Sequence, residues 1–163
     1  MINVAILIIS DKSSQGLRDD QTGPALIEAL SPHTRVSPVQ IIPDEFKVIK
    51  ATLIELADAG EYDIIFTSGG TGFSPRDVTP EVTLAVIERL VPGIPEAMRA
   101  ASLEITPRAM LSRAVAGLRG KTLIINLPGS PKAALENVQV FLPTLEHAVE
   151  TLRGDAHECA DSA

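Results

Sequence analysis

Residues 62–81 read YDIIFTSGGTGFSPRDVTPE, in which a short apolar run leads into a glycine-rich segment and then into the start of a helix. The run at 62–67 contains two isoleucines and two aromatic residues, which favour a buried strand. Thr79 is the predicted N-cap of a helix that runs to about Leu90, with Pro80 at its first position. A strand, a loop and a helix in this order predict one unit of a parallel sheet.

The same alternation of strands and helices continues on both sides of this unit. The predicted strands lie at 4–9, 34–42, 62–67 and 122–127. The predicted helices lie at 24–30, 44–59, 79–90, 95–105 and 131–152. Pro38 places the second strand at an edge or a bulge, 10–21 is a predicted loop, and 112–119 is ambiguous. The pattern predicts an α/β fold with three layers, a mostly parallel sheet covered by helices on both faces.

Length and composition bound the class of protein. The 163 residues, 45% of them hydrophobic, suit one domain, which we place at 1–153 with a polar C-terminal tail at 154–163. The net charge of −7 argues against nucleic-acid binding. The apolar run at 4–9 is too short to span a membrane and no basic segment precedes it, so we expect a soluble, cytoplasmic protein.

Few residues suggest nucleophilic or cysteine chemistry. Cys159 is the single cysteine, which excludes an intrachain disulfide and a cysteine-rich zinc site, and its place in the tail predicts an inert thiol. His33, His147 and His157 are scattered without ligand spacing. No pattern in the sequence supports a protein nucleophile.

A glycine-rich loop follows the strand at 62–67. Its candidate binding residues are Ser68, Gly69, Gly70, Thr71, Gly72, Arg76 and Asp77. Three glycines in four residues allow positive φ angles and a close approach to a ligand, and their N–H groups could form an anion nest. A tight turn without a ligand is the alternative. The segment matches neither a Walker A loop nor a dinucleotide fingerprint.

Two further strand ends bring polar residues to the predicted carboxyl edge of the sheet, where ligands bind in such folds. Asp44 follows the second strand, where it could cap the next helix or hold Mg²⁺ together with Asp77. Ser10 and Asp11 follow the first strand and could touch a ligand or only turn the chain.

The last predicted strand leads into the loop at 126–132, with Asn126, Pro128, Gly129 and Ser130 as candidate ligand contacts. Ser130 can cap the following helix, and Lys132 lies in its first turn, where a cation opposes the helix dipole. A bound polyanion would offset that cost, and a solvated lysine is the alternative.

These segments in this order resemble the molybdopterin adenylyltransferase family, which includes the G domain of gephyrin. The resemblance covers residues 1 to about 153. The matching segments are 10–11, 42–45, 69–72, 76–81, 110–114 and 127–132.

The resemblance implies a molybdopterin-binding-domain fold and a reaction in which ATP and molybdopterin give adenylylated molybdopterin and pyrophosphate, with Mg²⁺. It implies that Asp44 and Asp77 are the catalytic acidic residues, assigned here to magnesium, and that Ser112 lies near the dithiolene end of the pterin. The remaining residues of the loops above are implied as substrate contacts. A homotrimer and hand-off of the product to a molybdenum insertase are further expectations, without nucleic-acid or membrane partners.

Other functions remain open at this point. Some members of a paralogous group lack the aspartate that matches Asp44 and do not adenylylate, so a non-catalytic molybdopterin-binding or carrier protein is the main alternative. The presence of Asp44 favours the enzyme. A phosphate-binding scaffold that regulates a partner is a weaker alternative, since no amphipathic segment lies outside the predicted core helices.

Overall fold

The computed structural model describes residues 1–155, so His157, Cys159 and most of the predicted tail lie outside the described residues. The strands are β1 (Asn3–Ile9), β2 (Arg35–Val36), β3 (Gln40–Ile42), β4 (Ile64–Ser68), β5 (Arg89–Leu90), β6 (Ala116–Arg119) and β7 (Thr122–Leu127). The α-helices are α1 (Asp11–Ser14), α2 (Thr22–Leu30), α3 (Phe46–Asp58), α4 (Thr79–Val86), α5 (Gly93–Leu103), α6 (Pro131–Phe141) and α7 (Leu145–Arg153). Short 3₁₀ helices lie at Pro107–Leu111 and Leu142–Thr144.

The strands form one mixed sheet in the order β2-β1-β4-β7-β6-β5, with β3 also paired to β1. The central strands β1, β4 and β7 are parallel, and β2 and β3 add to β1 in the same direction. Only the β7–β6–β5 side is antiparallel among the described strands. The predicted mostly parallel sheet is confirmed, and the carboxyl ends of β1, β3, β4 and β7 meet at one edge.

Helices cover both faces of the sheet, as predicted. Alternate residues of β1 point to opposite sides, because side chains in a strand alternate between the two faces. Val4, Ile6 and Ile8 join a core with α2, α5, α6 and α7. Ala5, Leu7 and Ile9 join a second core with α3 and α4. The three-layer architecture is therefore confirmed.

Prolines explain two of the differences between predicted and observed elements. The predicted strand at 34–42 is two strands, β2 and β3, with Pro38 between them. Proline has no N–H to donate to a ladder, so pairing with β1 stops and resumes. The predicted helix at 131–152 is likewise divided at 142–144, where Pro143 starts a different turn before α7.

Other boundaries also differ from the prediction. The predicted loop at 10–21 begins with the single turn α1, capped by the Ser10 hydroxyl. The helix that starts at Thr79 ends at Val86 rather than near Leu90, because Ile87 is extended and the chain turns into β5. The ambiguous segment at 112–119 leads into β6. Within residues 1–155, no helix combines the length and apolarity needed to cross a membrane.

Candidate active site

A cleft of about 560 Å³ opens at the carboxyl edge of the sheet. We call it the main cleft. The predicted residues that line it are Ser10, Asp44, Ser68, Gly69, Gly70, Asp77, Gly129 and Ser130. These residues come from loops after β1, β3, β4 and β7, so the topology brings distant segments of the chain to one site.

The glycine loop shapes one wall of the main cleft. Gly69 and Gly70 have φ angles of +110° and +65°, a region that favours glycine over other residues. A Cβ atom at Gly69 would collide with the carbonyl oxygen of Ile9, and one at Gly70 would collide with the hydroxyl of Thr79. The Thr79 hydroxyl donates a 2.9 Å hydrogen bond to the Gly69 carbonyl. Thr79 is thus the first helical residue and supports the loop, whereas the sequence predicted it as the N-cap.

Asp44 is held by Asp11 rather than by the helix that follows it. The Asp11 N–H donates to Oδ2 of Asp44 at 2.9 Å, and the Asp44 N–H donates to Oδ1 of Asp11 at 3.0 Å. The N-cap of α3 is Glu45, and its side chain makes no capping hydrogen bond. The capping alternative for Asp44 is therefore wrong, and Asp44 instead lines the main cleft.

Arg76 links the glycine loop to this pair of loops. Its Nε and Nη2 atoms donate to the two carboxylate oxygens of Asp11 at 3.0 and 2.9 Å, and Nη2 also reaches Glu45 at 3.2 Å. The hydrogen bond from Arg76 lowers the pKa of Asp11 below its ordinary value. Both acidic partners in turn raise the pKa of Arg76. The guanidinium lies beside the main cleft rather than among its lining residues.

The electrostatics of Asp44 connect it to Asp77. Burial is the largest cause of a raised pKa at Asp44, and the negative charges of Asp11 and Asp77 raise that pKa further. The Asp77 carboxylate accepts a 3.0 Å hydrogen bond from the Ser74 N–H. Two carboxylates therefore repel one another across a shared cleft, where a cation would relieve the repulsion.

The loop at 126–132 packs against the glycine loop. The Ser68 hydroxyl donates to the Pro128 carbonyl at 2.8 Å, and a Cβ at Gly129 would lie 3.3 Å from the Gly69 Cα. Ser130 caps α6 as predicted, accepting from the Ala133 N–H at 3.3 Å. The first turn of α6 borders the main cleft at Pro131, and helix N-termini favour anions. Thr22 of α2 also lines the cleft, but the N–H groups of Thr22 and Gly23 already donate to Asp20.

A second cavity of about 280 Å³ lies on the other side of these two loops, and we call it the side cavity. Thr71, Gly72, Pro128 and Ser112 from the predicted set line it. Arg99 and Arg108 supply cationic side chains. The predicted ligand contacts thus divide between two adjoining spaces.

Four predicted contacts line neither space: Asp11 and Arg76, described above, and Asn126 and Lys132. Asn126 is fully buried, and its amide donates to the hydroxyls of Thr67 and Thr83 at 2.9 Å each, while its carbonyl accepts from the Val115 N–H at 3.1 Å. Lys132 has a side chain that is 82% exposed and lies 3.9 Å from Glu136. The structure therefore places Asn126 in the core and Lys132 on the surface of α6.

Some residues at the site escaped the sequence analysis. Arg18 and Asp20 line the main cleft, where Arg18 donates to the Ser10 hydroxyl at 3.3 Å. Asp20 accepts from the N–H groups of Thr22 and Gly23 at 2.9 and 3.0 Å, and so starts α2. An aspartate just before the helix was a capping signal that could have been found. Arg18 lies in a polar loop, and no sequence pattern around it indicates a place in the site.

The chain matches a known protein family and is similar in sequence to proteins of known name. A family model described as "Probable molybdopterin binding domain" matches residues 5–147. The chain is 39% identical over 158 residues to the molybdopterin adenylyltransferase of Helicobacter pylori, which covers 94% of this chain and 89% of that relative. It is 42% identical over 142 residues to the molybdopterin adenylyltransferase of Escherichia coli, covering 85% of this chain and 72% of that relative.

A solved structure shares the fold. The molybdopterin biosynthesis enzyme MoaB from Thermus thermophilus superposes with a TM-score of 0.89 at 48% identity, covering 94% of this chain and 98% of that one. The similarity therefore extends over nearly the whole length of both chains.

Proposed function

The chain belongs to the molybdopterin-binding-domain family, and from that premise we propose that it is a molybdopterin adenylyltransferase of molybdenum cofactor biosynthesis. The observation that carries the proposal is the placing of Asp44 and Asp77 on one cleft with the glycine loop. A non-catalytic carrier needs a pterin cavity, whereas this cleft adds paired carboxylates and the N-terminus of α6, which suit the phosphates of ATP with a cation.

The proposed reaction requires no covalent bond to the protein. An oxygen of the terminal phosphate of molybdopterin attacks the α-phosphorus of ATP and forms a new P–O bond. The bond between the α-phosphorus and the bridging β-oxygen breaks, and pyrophosphate leaves with the electron pair. Positioning and charge stabilisation supply catalysis of this kind.

The residues of the main cleft fit a magnesium ion. Mg²⁺ binds through one or two carboxylates together with substrate phosphates, and Asp44 and Asp77 provide two carboxylates with mutual repulsion. When bound, Mg²⁺ would neutralise negative charge on the transferring phosphates. The backbone N–H of Gly70 and the first turn of α6 would orient the nucleotide phosphates, since the Gly69 N–H already donates to the Leu127 carbonyl at 3.2 Å.

We assign the pterin to the side cavity and its terminal phosphate to the boundary with the main cleft. Ser112 would lie near the dithiolene end, while Thr71, Gly72 and Pro128 separate the two spaces. Lys132, at the first turn of α6, would attract the polyanionic substrates from the surface. The proposal extends to a cytoplasmic homotrimer that passes its product to a molybdenum insertase.

The test is an adenylyl-transfer assay with purified protein, ATP, molybdopterin and Mg²⁺. We expect pyrophosphate and adenylylated molybdopterin in equal amounts. Asp44→Ala and Asp77→Ala should each reduce the rate about 100-fold or more, as expected when charge stabilisation at the reacting phosphates is removed. Asp58→Ala, which removes an exposed carboxylate bound to Arg119, is the matched control.

Two outcomes would reject parts of this assignment. Tight binding of molybdopterin without pyrophosphate release would establish the carrier alternative. Full activity of both aspartate variants with an unchanged Mg²⁺ requirement would show that the carboxylates do not organise the metal.

A further inference from the structure

Arg113 follows Ser112 of the side cavity and makes four contacts with the glycine loop and the helix after it. Its backbone N–H donates to the Thr71 carbonyl at 3.0 Å. Its Nε donates to the Gly72 carbonyl at 2.7 Å, and Nη2 donates to the Asp77 carbonyl at 2.8 Å. Nη1 forms an ion pair with Glu81 in the first turn of α4. One side chain therefore holds both ends of the loop at 72–77.

Apart from the bonds of Arg76 to Asp11 and Glu45, that loop has little support. Residues 73–76 are exposed, with Phe73 at 68%. Between its ends, the backbone N–H of Asp77 donates to the Ser74 carbonyl, and the Asp77 carboxylate accepts from Ser74. Because the Asp77 side chain is engaged within the loop, its position in the main cleft follows the position of the loop ends.

The chain segment next to Arg113 is held by hydrogen bonds to the sheet and to α5. Two residues further along the chain, Val115 exchanges backbone and side-chain hydrogen bonds with the buried Asn126 of β7. Arg99 of α5 donates to the Ala114 carbonyl at 3.0 Å. The segment at 112–115 is thus fixed to the sheet and to α5. The hydrogen bonds of the Arg113 guanidinium therefore hold the loop at 72–77 in place relative to them.

We propose that Arg113 is a positioning residue for adenylyl transfer, fixing Asp77 of the main cleft relative to the side cavity. This inference rests on the proposed function. A planar guanidinium with donors in a fixed fork can satisfy three separate acceptors at once, and the side chain is only 31% exposed. Lysine would retain the charge without the fork.

The test compares Arg113→Gln and Arg113→Lys with wild type and with Arg119→Gln. Arg119 is a matched control, since its guanidinium also bonds a carboxylate, Asp58, and a carbonyl, that of Val86, and none of the three lines either cavity. We expect both Arg113 variants to lower kcat about 10-fold or more, because small misplacements of reacting groups reduce rates steeply. The KM for ATP should stay within about threefold, and Arg119→Gln should leave kcat unchanged.

Amide hydrogen exchange provides a measurement that does not depend on activity. Loss of the fork should raise exchange about 10-fold at residues 72–77 in both Arg113 variants, and Arg119→Gln should not change it. Glu81→Gln weakens only the ion pair and keeps the two carbonyl bonds, so its effects should be smaller in both measurements. It also serves as the test variant if the Arg113 substitutions prevent folding.

Folded Arg113 variants with wild-type exchange at 72–77 and wild-type kcat would overturn the inference. A raised KM for ATP with an unchanged kcat would do so as well, since it would indicate direct substrate contact. A wild-type protein without adenylyl transfer would reject the proposed function, and the exchange data would still decide whether Arg113 positions the loop.

Discussion

Asp11 and Asp44 each accept a hydrogen bond from the backbone N–H of the other, at 3.0 and 2.9 Å. This exchange joins the turn after β1 to the end of β3 and fixes the Asp44 carboxylate. Its Oδ1 atom lies 3.1 Å from the position that a Cβ at Gly70 would occupy, so the carboxylate rests directly against the glycine loop. These hydrogen bonds, together with the absence of a Cβ atom in Gly70, determine the position of the Asp44 carboxylate.

We expect Asp44→Asn to lower kcat about 100-fold while raising the Tm measured without metal. Burial, followed by repulsion from Asp11 and Asp77, raises the pKa of Asp44 in the folded state. The folded protein therefore binds the proton more tightly than the unfolded chain, and ionised Asp44 destabilises the fold at neutral pH. Asparagine removes that charge and can still accept from the Asp11 N–H. Activity assays and thermal unfolding at pH 7 measure both effects.

Asp58→Asn is the control, because its expected change in Tm is opposite in sign to that of Asp44→Asn. A hydrogen bond from Arg119 lowers the pKa of Asp58, so its ionised form stabilises the fold at neutral pH, and this contribution is lost as the pH falls through the lowered pKa. Asp58→Asn should lower the Tm slightly without affecting kcat. A Tm decrease for both variants would contradict the electrostatic account of Asp44.

Arg76→Ala should lower kcat about 10-fold, because it releases Asp11 and with it the orientation of Asp44. Arg76→Lys should recover only part of the loss, since lysine cannot bond both carboxylate oxygens in parallel. Steady-state kinetics at varied ATP concentration measure the effect, with the exposed Lys47→Ala as a charge-matched control. A higher KM for ATP at unchanged kcat would point instead to direct contact between Arg76 and the nucleotide.

The sequence predicted the sheet because its central strands are continuous apolar runs. The predicted strand at 122–127 coincides with β7, and the run at 4–9 lies within β1. Parallel strands end at the same edge, so polar residues after each strand were correctly expected to meet there. The breaks at Pro38 and Pro143 were harder to place, because a proline excludes a hydrogen bond without specifying the conformation that replaces it.

The division of the candidate site between the main cleft and the side cavity could not be predicted from the order of residues in the sequence. Asn126 precedes the loop at 127–130 and looks like a ligand contact in sequence, yet its amide satisfies two buried threonine hydroxyls. Arg113 lies in the family-like segment 110–114, but nothing in the sequence assigns it a role. Its importance depends on the three-dimensional proximity of Gly72, Asp77 and Glu81, which lie 32 to 41 positions earlier in the chain.

Gly70→Ala should lower the free energy of unfolding by about 2–3 kcal/mol and abolish most activity, since positive φ and a steric collision act together. The added methyl group would press against the Thr79 hydroxyl and approach Asp44. Urea unfolding monitored by circular dichroism provides the measurement.

Gly120→Ala separates the cost of a positive φ angle from the cost of a steric collision. Gly120 has a φ of +53°, and a Cβ there would meet nothing within 4 Å, so only the backbone cost applies, about 1 kcal/mol. Equal losses of stability in the two variants would show that the space around Gly70 is not tightly filled. Activity should survive in Gly120→Ala.

Magnesium binding should depend on the nucleotide. Among the residues that the structure describes, no group of three or more His, Cys, Asp or Glu side chains could hold a metal ion. Mg²⁺ with only two carboxylates keeps most of its water, and phosphate oxygens complete its coordination. Calorimetry should therefore detect weak or no binding of Mg²⁺ alone and clear binding with a non-hydrolysable ATP analogue.

Asp77→Ala is the variant for that experiment, compared with Asp58→Ala. Binding of the analogue in the presence of Mg²⁺ should weaken for Asp77→Ala and remain unchanged for Asp58→Ala. Tight binding of Mg²⁺ by the protein without any nucleotide would contradict the assignment to a pair of carboxylates.

Asn126→Ala should destabilise the fold by about 2–4 kcal/mol, because it removes several buried hydrogen bonds and leaves the Val115 N–H without its side-chain acceptor. A double-mutant cycle with Thr83→Val tests the central contact, in which the Asn126 amide donates to the Thr83 hydroxyl. We expect a coupling energy of about 1 kcal/mol in urea unfolding. The same cycle with Thr52→Val, whose hydroxyl makes a solvent-exposed hydrogen bond to the Val48 carbonyl within α3, should be additive. Additivity in both cycles would mean that the buried amide contributes through packing alone.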